Sequence, residues 1–185
     1  MFIEQYYINK KVCDDLVRFF KNTNQKGPGG ISTLNGLKVN PKFKKSIETS
    51  FNPESKITEF TNYTSELKKC FSKYRKKWKE CDSVSKYGLI EGVNLQYYPP
   101  KGGYYVWHTE RCSKYLPNCN RHLVFMTYLN DVTDGGETEW KHQKLKIQPK
   151  KGLTVIWPVD WTHVHRGIPS KSQDKYIMTG WLSFI

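Results

Sequence analysis

The chain has 185 residues, a length that suits one domain with a substantial core. Aromatic residues make up 15% of the sequence, and this share of large apolar side chains excludes a disordered chain. The sequence contains no apolar stretch near the roughly 20 residues that cross a bilayer, and its start, MFIEQYYINKK, lacks the pattern of a signal peptide. We therefore expect a soluble protein of the cytoplasm.

The formal net charge of +13 favours polyanionic partners such as nucleic acid or acidic proteins. Many of the basic residues fall in SELKKCFSKYRKKWKE, residues 65–80. We interpret this segment as the solvated outer face of a helix, with a nucleic-acid-binding stripe as the alternative, because no recognised binding motif accompanies it. The five cysteines include no C-x-x-C pair, so we expect free thiols in a reducing compartment.

The first half of the chain predicts two helices separated by a loop. Apolar residues recur at helical spacing in KVCDDLVRFFKN, residues 11–22, which indicates an amphipathic helix. The glycines and proline of NQKGPGGIST, residues 24–33, predict a surface loop. The helical spacing returns from about residue 55 or 57 to residue 80, and it predicts a second helix that lies against a sheet with its basic side outward.

From residue 92 onward, short runs rich in β-branched and aromatic residues alternate with turn residues. The candidate strands are VNLQYY, YYVWHTE, HLVFMTYLN, ETEW, KLKIQP, LTVIWP, THVHRG and KYIMTGWLSFI. These eight short strands, which follow a helical first half, predict an antiparallel sandwich or small barrel with helices on one face. This pattern fits a jelly roll.

His108 and Glu110 stand two positions apart in YYVWHTE. On an extended strand both side chains project from the same face, so two metal ligands would converge. A third ligand has two candidates in WTHVHRG, which are His163 and His165. Two histidines and one carboxylate form the facial triad of non-haem Fe(II) oxygenases, whereas an H-x-E pair alone also occurs on ordinary strands.

Lys175 follows ten residues after His165, in SQDKYIMTGW. A cation on the strand after the third ligand suits a pocket for a dicarboxylate whose other end chelates the metal. The simpler interpretation is a solvent-facing lysine, one of 30 basic residues. Spacing alone leaves both interpretations open.

Four motifs of the second half follow one another in a recognisable order. They are YYPPKGGYYVWHTE, TYLND with GGETEW, PKKGLTVIW, and HRGIPSKSQDKYIMTGW. Together they resemble the 2-oxoglutarate and Fe(II)-dependent dioxygenases of the prolyl 4-hydroxylase group, which carry a tyrosine before H-x-D, then Y-L-N and G-G-E-T, and finally a distal histidine followed by a basic residue. The resemblance covers residues 93–184, about half of the chain.

The resemblance implies that the iron ligands are His108, Glu110 and His165, with His165 preferred to His163 because it stands in the family's H-x-G-x-P context. The implied contacts of 2-oxoglutarate are Tyr98, Tyr128, Lys175 and Thr179, and Tyr97 is the alternative to Tyr98. The implied substrate pocket includes Tyr105, Arg166 and Trp181. Core packing is the alternative for the two aromatic residues of that pocket, and plain solvation is the alternative for the arginine.

The implied fold is a double-stranded β-helix, or jelly roll, which is mainly β with helices (α+β) and has its N-terminal helices packed on one face. Residues 1–185 would form one Fe(II)/2-oxoglutarate dioxygenase domain, with mainly helical support at 1–90 and the jelly-roll core that carries the site at 91–185. The implied reaction uses Fe(II), 2-oxoglutarate and O2, with ascorbate as a reductant, and hydroxylates a prolyl or other residue of a peptide or protein.

One departure is Glu110, because the family usually has aspartate there. The longer side chain lets the carboxylate reach further or bind through both oxygens, and its retention argues against halogenating relatives. Two alternative enzymes are oxygenases that act on nucleic acid, which the positive charge favours, or on a small molecule. A third is a zinc hydrolase, which could use the same three ligands but would not need Lys175. The alternative outside enzymes is a non-catalytic jelly roll whose basic helix binds a polyanion.

Overall fold

The structure is a computed structural model that describes residues 2–33 and 36–185. These residues form two α-helices, α1 (Lys10–Asn22) and α2 (Thr58–Lys77), and short 3-10 helices at Lys79–Asp82, Asn118–Asn120 and Trp161–His163. The strands are β1 (Glu4–Tyr7), β2 (Gly27–Pro28), β3 (Ile31–Thr33), β4 (Gly36–Lys38), β5 (Ile47–Phe51), β6 (Tyr87–Gly88), β7 (Val93–Tyr98), β8 (Arg121–Tyr128), β9 (Thr138–Trp140), β10 (Leu145–Ile147), β11 (Leu153–Pro158), β12 (His165–Gly167) and β13 (Lys175–Phe184).

Two antiparallel sheets face each other. The larger has the order β1-β11-β8-β13-β7-β5-β2, with β6 also paired to β13, and the smaller has the order β10-β9-β12. Strand β8 shows why the larger sheet lies in the middle of the molecule: Val124 and Met126 point towards the small sheet, while Leu123 and Phe125 point towards the helices. The fold is therefore a jelly roll with helices on one face, as the sequence predicts.

Both predicted helices are present on the outer face of the larger sheet. Asn9 caps α1, its side chain accepting a hydrogen bond from the backbone of Lys11 at 2.9 Å. Helix α2 buries its apolar side, and its lysines and arginine are exposed to solvent. The basic side therefore faces outward, as predicted, and this exposure is compatible with both a solvated face and a nucleic-acid-binding stripe. Within the described residues, no helix is long and apolar enough to cross a membrane.

Several local features differ from the predictions or add to them. The N-terminal half also contributes strands: β1 pairs with β11 and β5 pairs with β7, so residues 1–90 do more than supply helices. The segment predicted as a loop contains β2, where Pro28 is tolerated because this strand lies at the edge of the sheet. YYVWHTE forms no regular strand, since only Tyr104 and His108 make isolated bridges, to Lys44 and His165.

Phe60 offers a test of how the helices are attached. Its ring lies 4.9 Å from that of Phe51 on β5 in a stacked arrangement, and only 1% of the residue is exposed. We expect Phe60→Ala to lower the free energy of unfolding by about 3–5 kcal/mol, because it removes an aromatic side chain from a packed core. Ile57→Ala, at a residue that is 39% exposed, should change it by less than about 1 kcal/mol. Urea denaturation measures both, and equal losses would contradict this packing.

Candidate metal centre and cosubstrate cavity

A cavity of about 700 Å³ lies between the two sheets. His108, Glu110, His165 and Lys175 line it, together with residues of the N-terminal half such as Glu48. The cavity therefore gathers the residues that the sequence singles out, and the N-terminal half completes its wall.

Backbone pairing brings the two histidines together. The amide of His108 donates to the carbonyl of His165 at 2.9 Å, and the amide of His165 donates to the carbonyl of His108 at 3.0 Å. Residues paired in this way on antiparallel segments direct their side chains to the same face. Glu110, two residues beyond His108, joins them although its segment is not a regular strand.

The three side chains converge on one point. Glu110 Oε1 lies 3.6 Å from His108 Nε2 and 3.2 Å from His165 Nε2, and one ligand atom from each residue lies within 4.8 Å of the others. Each Nδ1 is engaged by a backbone carbonyl, that of Val106 for His108 at 2.9 Å and that of His163 for His165 at 3.0 Å. This second contact fixes the orientation of each ring so that its Nε2 atom faces the carboxylate.

The charges of this cluster suit a divalent cation. Burial, followed by the nearby His165, lowers the pKa of His108 and favours its neutral form. Burial alone would raise the pKa of the Glu110 carboxyl, but interactions with the two imidazoles outweigh burial and hold that pKa well below its usual value. Two imidazoles and one carboxylate are the donor set of a facial Fe(II) site, so the residues present fit this metal.

His163 lies outside the cluster. It ends the 3-10 helix Trp161–His163, whereas β12 begins at His165, so the two histidines do not share a strand. Its Nδ1 is 2.9 Å from the hydroxyl of Thr162, and burial lowers its pKa to about 4. The choice between the two candidate third ligands thus has a geometric answer, because only His165 faces Glu110.

Lys175 is a buried cation that the described side chains leave without a carboxylate partner. Its Nζ donates to the carbonyl of Gly136 at 3.0 Å and lies 4.9 Å from the centre of the Tyr98 ring, and the residue is 4% exposed. No described acidic side chain comes within ion-pair distance of it. Burial lowers its pKa to about 8, and the more distant Glu137 only partly opposes this. The solvent-facing interpretation of Lys175 is therefore wrong.

The other predicted cosubstrate contacts divide into two groups. Tyr98 and Thr179 line the cavity; the hydroxyl of Tyr98 donates to Gln96 Oε1 at 2.7 Å, and that of Thr179 donates to a backbone carbonyl. Tyr97 points to the other face, where it bonds Asp174. Tyr128 is fully buried behind the wall and donates to the hydroxyl of Thr138 at 2.7 Å, and it is Thr138 that lines the cavity.

The predicted pocket residues are also divided. Trp181 lines the cavity, and its Nε1 donates to Glu110 Oε2 at 3.0 Å. Tyr105 lies outside the cavity wall, with its hydroxyl on the carbonyl of Lys101. Arg166 also lies outside it, bonded to Glu139 at 2.9 Å and stacked 4.4 Å above the ring of Trp107.

Sequence reasoning missed Tyr104 and Arg121. The ring of Tyr104 stacks on His108 with 3.7 Å between centroids and 12° between planes. Arg121 contacts the backbone of Glu110 and the ring of Trp181. The aromatic run before His108 was a usable signal for Tyr104, but Arg121 begins a strand and carries no local mark of its role.

Comparison with known proteins places this geometry in a family. A family model described as the 2OG-Fe(II) oxygenase superfamily matches residues 93–183. No curated protein sequence matches the chain significantly.

Several solved structures share the fold. The viral collagen prolyl hydroxylase of Paramecium bursaria Chlorella virus-1, in complex with 2OG, is 24% identical with a TM-score of 0.73, covering 100% of this chain and 97% of its own. A Pseudomonas putida prolyl-4-hydroxylase is 14% identical with a TM-score of 0.72, covering 99% and 92%. A Trichoplax adhaerens prolyl hydroxylase, bound to a hypoxia inducible factor peptide fragment, is 15% identical with a TM-score of 0.72, covering 97% and 83%. Residues 93–183, which carry the His-Glu-His cluster, belong by this match to the 2OG-Fe(II) oxygenase superfamily, whose enzymes use Fe(II) and 2-oxoglutarate.

Proposed function

We propose that this chain hydroxylates a prolyl residue in a peptide or protein substrate. The observation that carries the proposal is one cavity that holds both a converging His-Glu-His cluster and a buried lysine that has no carboxylate partner among the described residues. A metal chelator with a free carboxylate at its far end satisfies both features, and 2-oxoglutarate has this chemistry. Bound Fe(II), 2-oxoglutarate and O2 together supply the oxidising power that hydroxylates a C–H bond.

The residues of the chain bind and orient the reactants. In this proposal, His108, Glu110 and His165 hold the metal, and the backbone carbonyls behind the two imidazoles keep their Nε2 atoms directed at it. Lys175 pairs with the far carboxylate of 2-oxoglutarate, a contact that burial strengthens because water does not compete for the charge. Tyr98 and Thr179 line the cavity beside it, while Tyr128 acts through Thr138.

The prolyl substrate is supported by the similar structures, which include prolyl hydroxylases and one complex with a peptide. We further propose that the chain acts as one catalytic domain, since strands from both halves share the larger sheet. A reducing compartment such as the cytoplasm is supported by five cysteines that form no disulfide.

The test is turnover with defined substrates. We expect the protein, given Fe(II), 2-oxoglutarate, ascorbate and O2, to form succinate and to add one oxygen atom to prolyl residues of proline-rich peptides, as measured by tandem mass spectrometry. Omission of 2-oxoglutarate should stop both. Absence of succinate with every peptide and with a cell lysate would contradict hydroxylation, whereas oxygen insertion into nucleic acid or free metabolites would contradict the prolyl substrate alone.

A further inference from the structure

The two oxygens of the Glu110 carboxylate have different surroundings. Oε1 faces the Nε2 atoms of His108 and His165 at 3.6 and 3.2 Å. Oε2 accepts a hydrogen bond from Trp181 Nε1 at 3.0 Å and lies 3.8 Å from Arg121 Nη1. One oxygen is thus directed at the metal position, and the other is held by the cavity wall.

Arg121 is itself held rigidly. Its guanidinium lies 3.5 Å from the ring centre of Trp181, and it bonds the carboxylate of Glu91 with a shortest contact of 2.8 Å. Ser183 donates to the same carboxylate at 2.5 Å. Arg121 Nη1 also donates to the backbone carbonyl of Glu110 at 3.0 Å, so that the arginine fixes the main chain as well as the side chain of this residue.

A β-bulge makes this arrangement possible. Between β8 and β13, Trp181 pairs with Val124 and Leu182 with Leu123, but Ser183 pairs with Arg121 and skips His122. Paired residues of antiparallel strands share a face, so the extra residue turns Arg121 to the cavity side. His122 turns to the opposite face, where it stacks on Phe184.

We propose that Trp181 and Arg121 act as positioning residues that hold Oε2 of Glu110, so that the glutamate presents only Oε1 to the metal. A glutamate has one more rotatable bond than aspartate, and a free carboxylate on that longer arm could turn and bind through both oxygens. Holding Oε2 removes this freedom and keeps the remaining coordination positions available. The inference rests on the proposed metal centre and adds the reason why a glutamate serves there.

Metal affinity tests the inference without any turnover. We expect Trp181→Phe to weaken binding of Mn(II), titrated alone and followed by the electron paramagnetic resonance signal of the free ion, by about 10- to 100-fold. The released side chain must then be ordered when the metal binds, and this cost outweighs the contact that its second oxygen could gain. The matched control is Trp78→Phe, because Trp78 Nε1 also donates to a carboxylate, that of Glu4 at 3.1 Å, far from the cavity. This control should bind Mn(II) like the wild type.

The same tryptophan substitution, made in a Glu110→Asp variant, separates a positioning role from general damage to the cavity. In Glu110→Asp we expect the carboxylate, which is shorter by one methylene, not to reach Trp181 from the metal position, so Trp181→Phe should cost less than about threefold there. Wild-type affinity in Trp181→Phe, or equal losses in both backgrounds, would overturn the inference, and a wild type that binds no Mn(II) would overturn the metal centre as well. Thermal unfolding identifies a variant that fails to fold. In that case Ser183→Ala replaces it, because loss of the serine hydroxyl loosens Glu91 and hence Arg121. This variant should show a smaller loss of Mn(II) affinity.

Discussion

Replacing His165 with alanine is expected to lower the affinity for Mn(II) by more than about 100-fold and to abolish succinate formation. Loss of a neighbouring supporting group typically costs 10- to 100-fold in metal affinity, and loss of a ligand itself should cost more. His165 is 5% exposed and supplies one of the three converging ligand atoms. Its removal leaves His108 and Glu110, which hold a divalent cation weakly.

His163→Ala is the control for this prediction. His163 is equally buried and stands two residues away, but its side chain bonds Thr162 and does not face the carboxylate. Its backbone carbonyl, which fixes the ring of His165, is retained in the variant. We therefore expect near wild-type metal affinity. Strong metal binding in His165→Ala with weak binding in His163→Ala would show that the third ligand was assigned to the wrong histidine.

The metal cluster was predictable because its signals are local in sequence. His108 and Glu110 are two residues apart, and His165 carries the motif H-x-G-x-P around it. Their convergence does not come from a regular strand, because the H-x-E segment forms only isolated bridges. Instead, the backbone pairing of His108 with His165, 57 residues apart, directs the two imidazoles to the same face.

Other parts of the site depend on long-range register, which a single sequence does not contain. Arg121 faces Glu110 only because one residue is skipped between β8 and β13. The residue names give no sign of this bulge. In the same way, β1 and β5 are short and partly polar, and they become strands because free edges of the larger sheet are available to them. Tertiary pairing decides such elements more than their intrinsic propensity.

Replacing Lys175 with methionine is expected to weaken binding of 2-oxoglutarate by at least about 30-fold while leaving the protein no less stable. Loss of one partner of a buried charge pair typically costs 2–5 kcal/mol in binding. In the free protein, however, the same lysine is a buried charge that no carboxylate of the described part of the chain neutralises, and its replacement by an apolar side chain of similar size removes that penalty. Calorimetric titration of the Mn(II)-loaded protein and urea denaturation measure the two effects.

The lowered pKa of Lys175 also predicts how stability and 2-oxoglutarate affinity change with pH. Lys175 has a pKa of about 8 in the folded protein, below the ordinary value of 10.5, so between these two pH values the unfolded chain binds more protons than the folded one. The stability of the free protein should therefore gain a rising contribution from about pH 8 to 10.5, and Lys175→Met should lack it. Affinity for 2-oxoglutarate should fall above about pH 8, because the lysine must be protonated to pair with a carboxylate.

Lys171→Met is the matched control, since Lys171 precedes Lys175 by four residues but is exposed. It should bind 2-oxoglutarate like the wild type and keep the wild-type dependence of stability on pH. If Lys175→Met bound 2-oxoglutarate normally, the far carboxylate would have another partner, and the buried lysine would be structural. A loss of affinity together with a large loss of stability would mean instead that the lysine supports the fold through Gly136. Only the combination of weaker binding and retained stability assigns the buried charge to the cosubstrate.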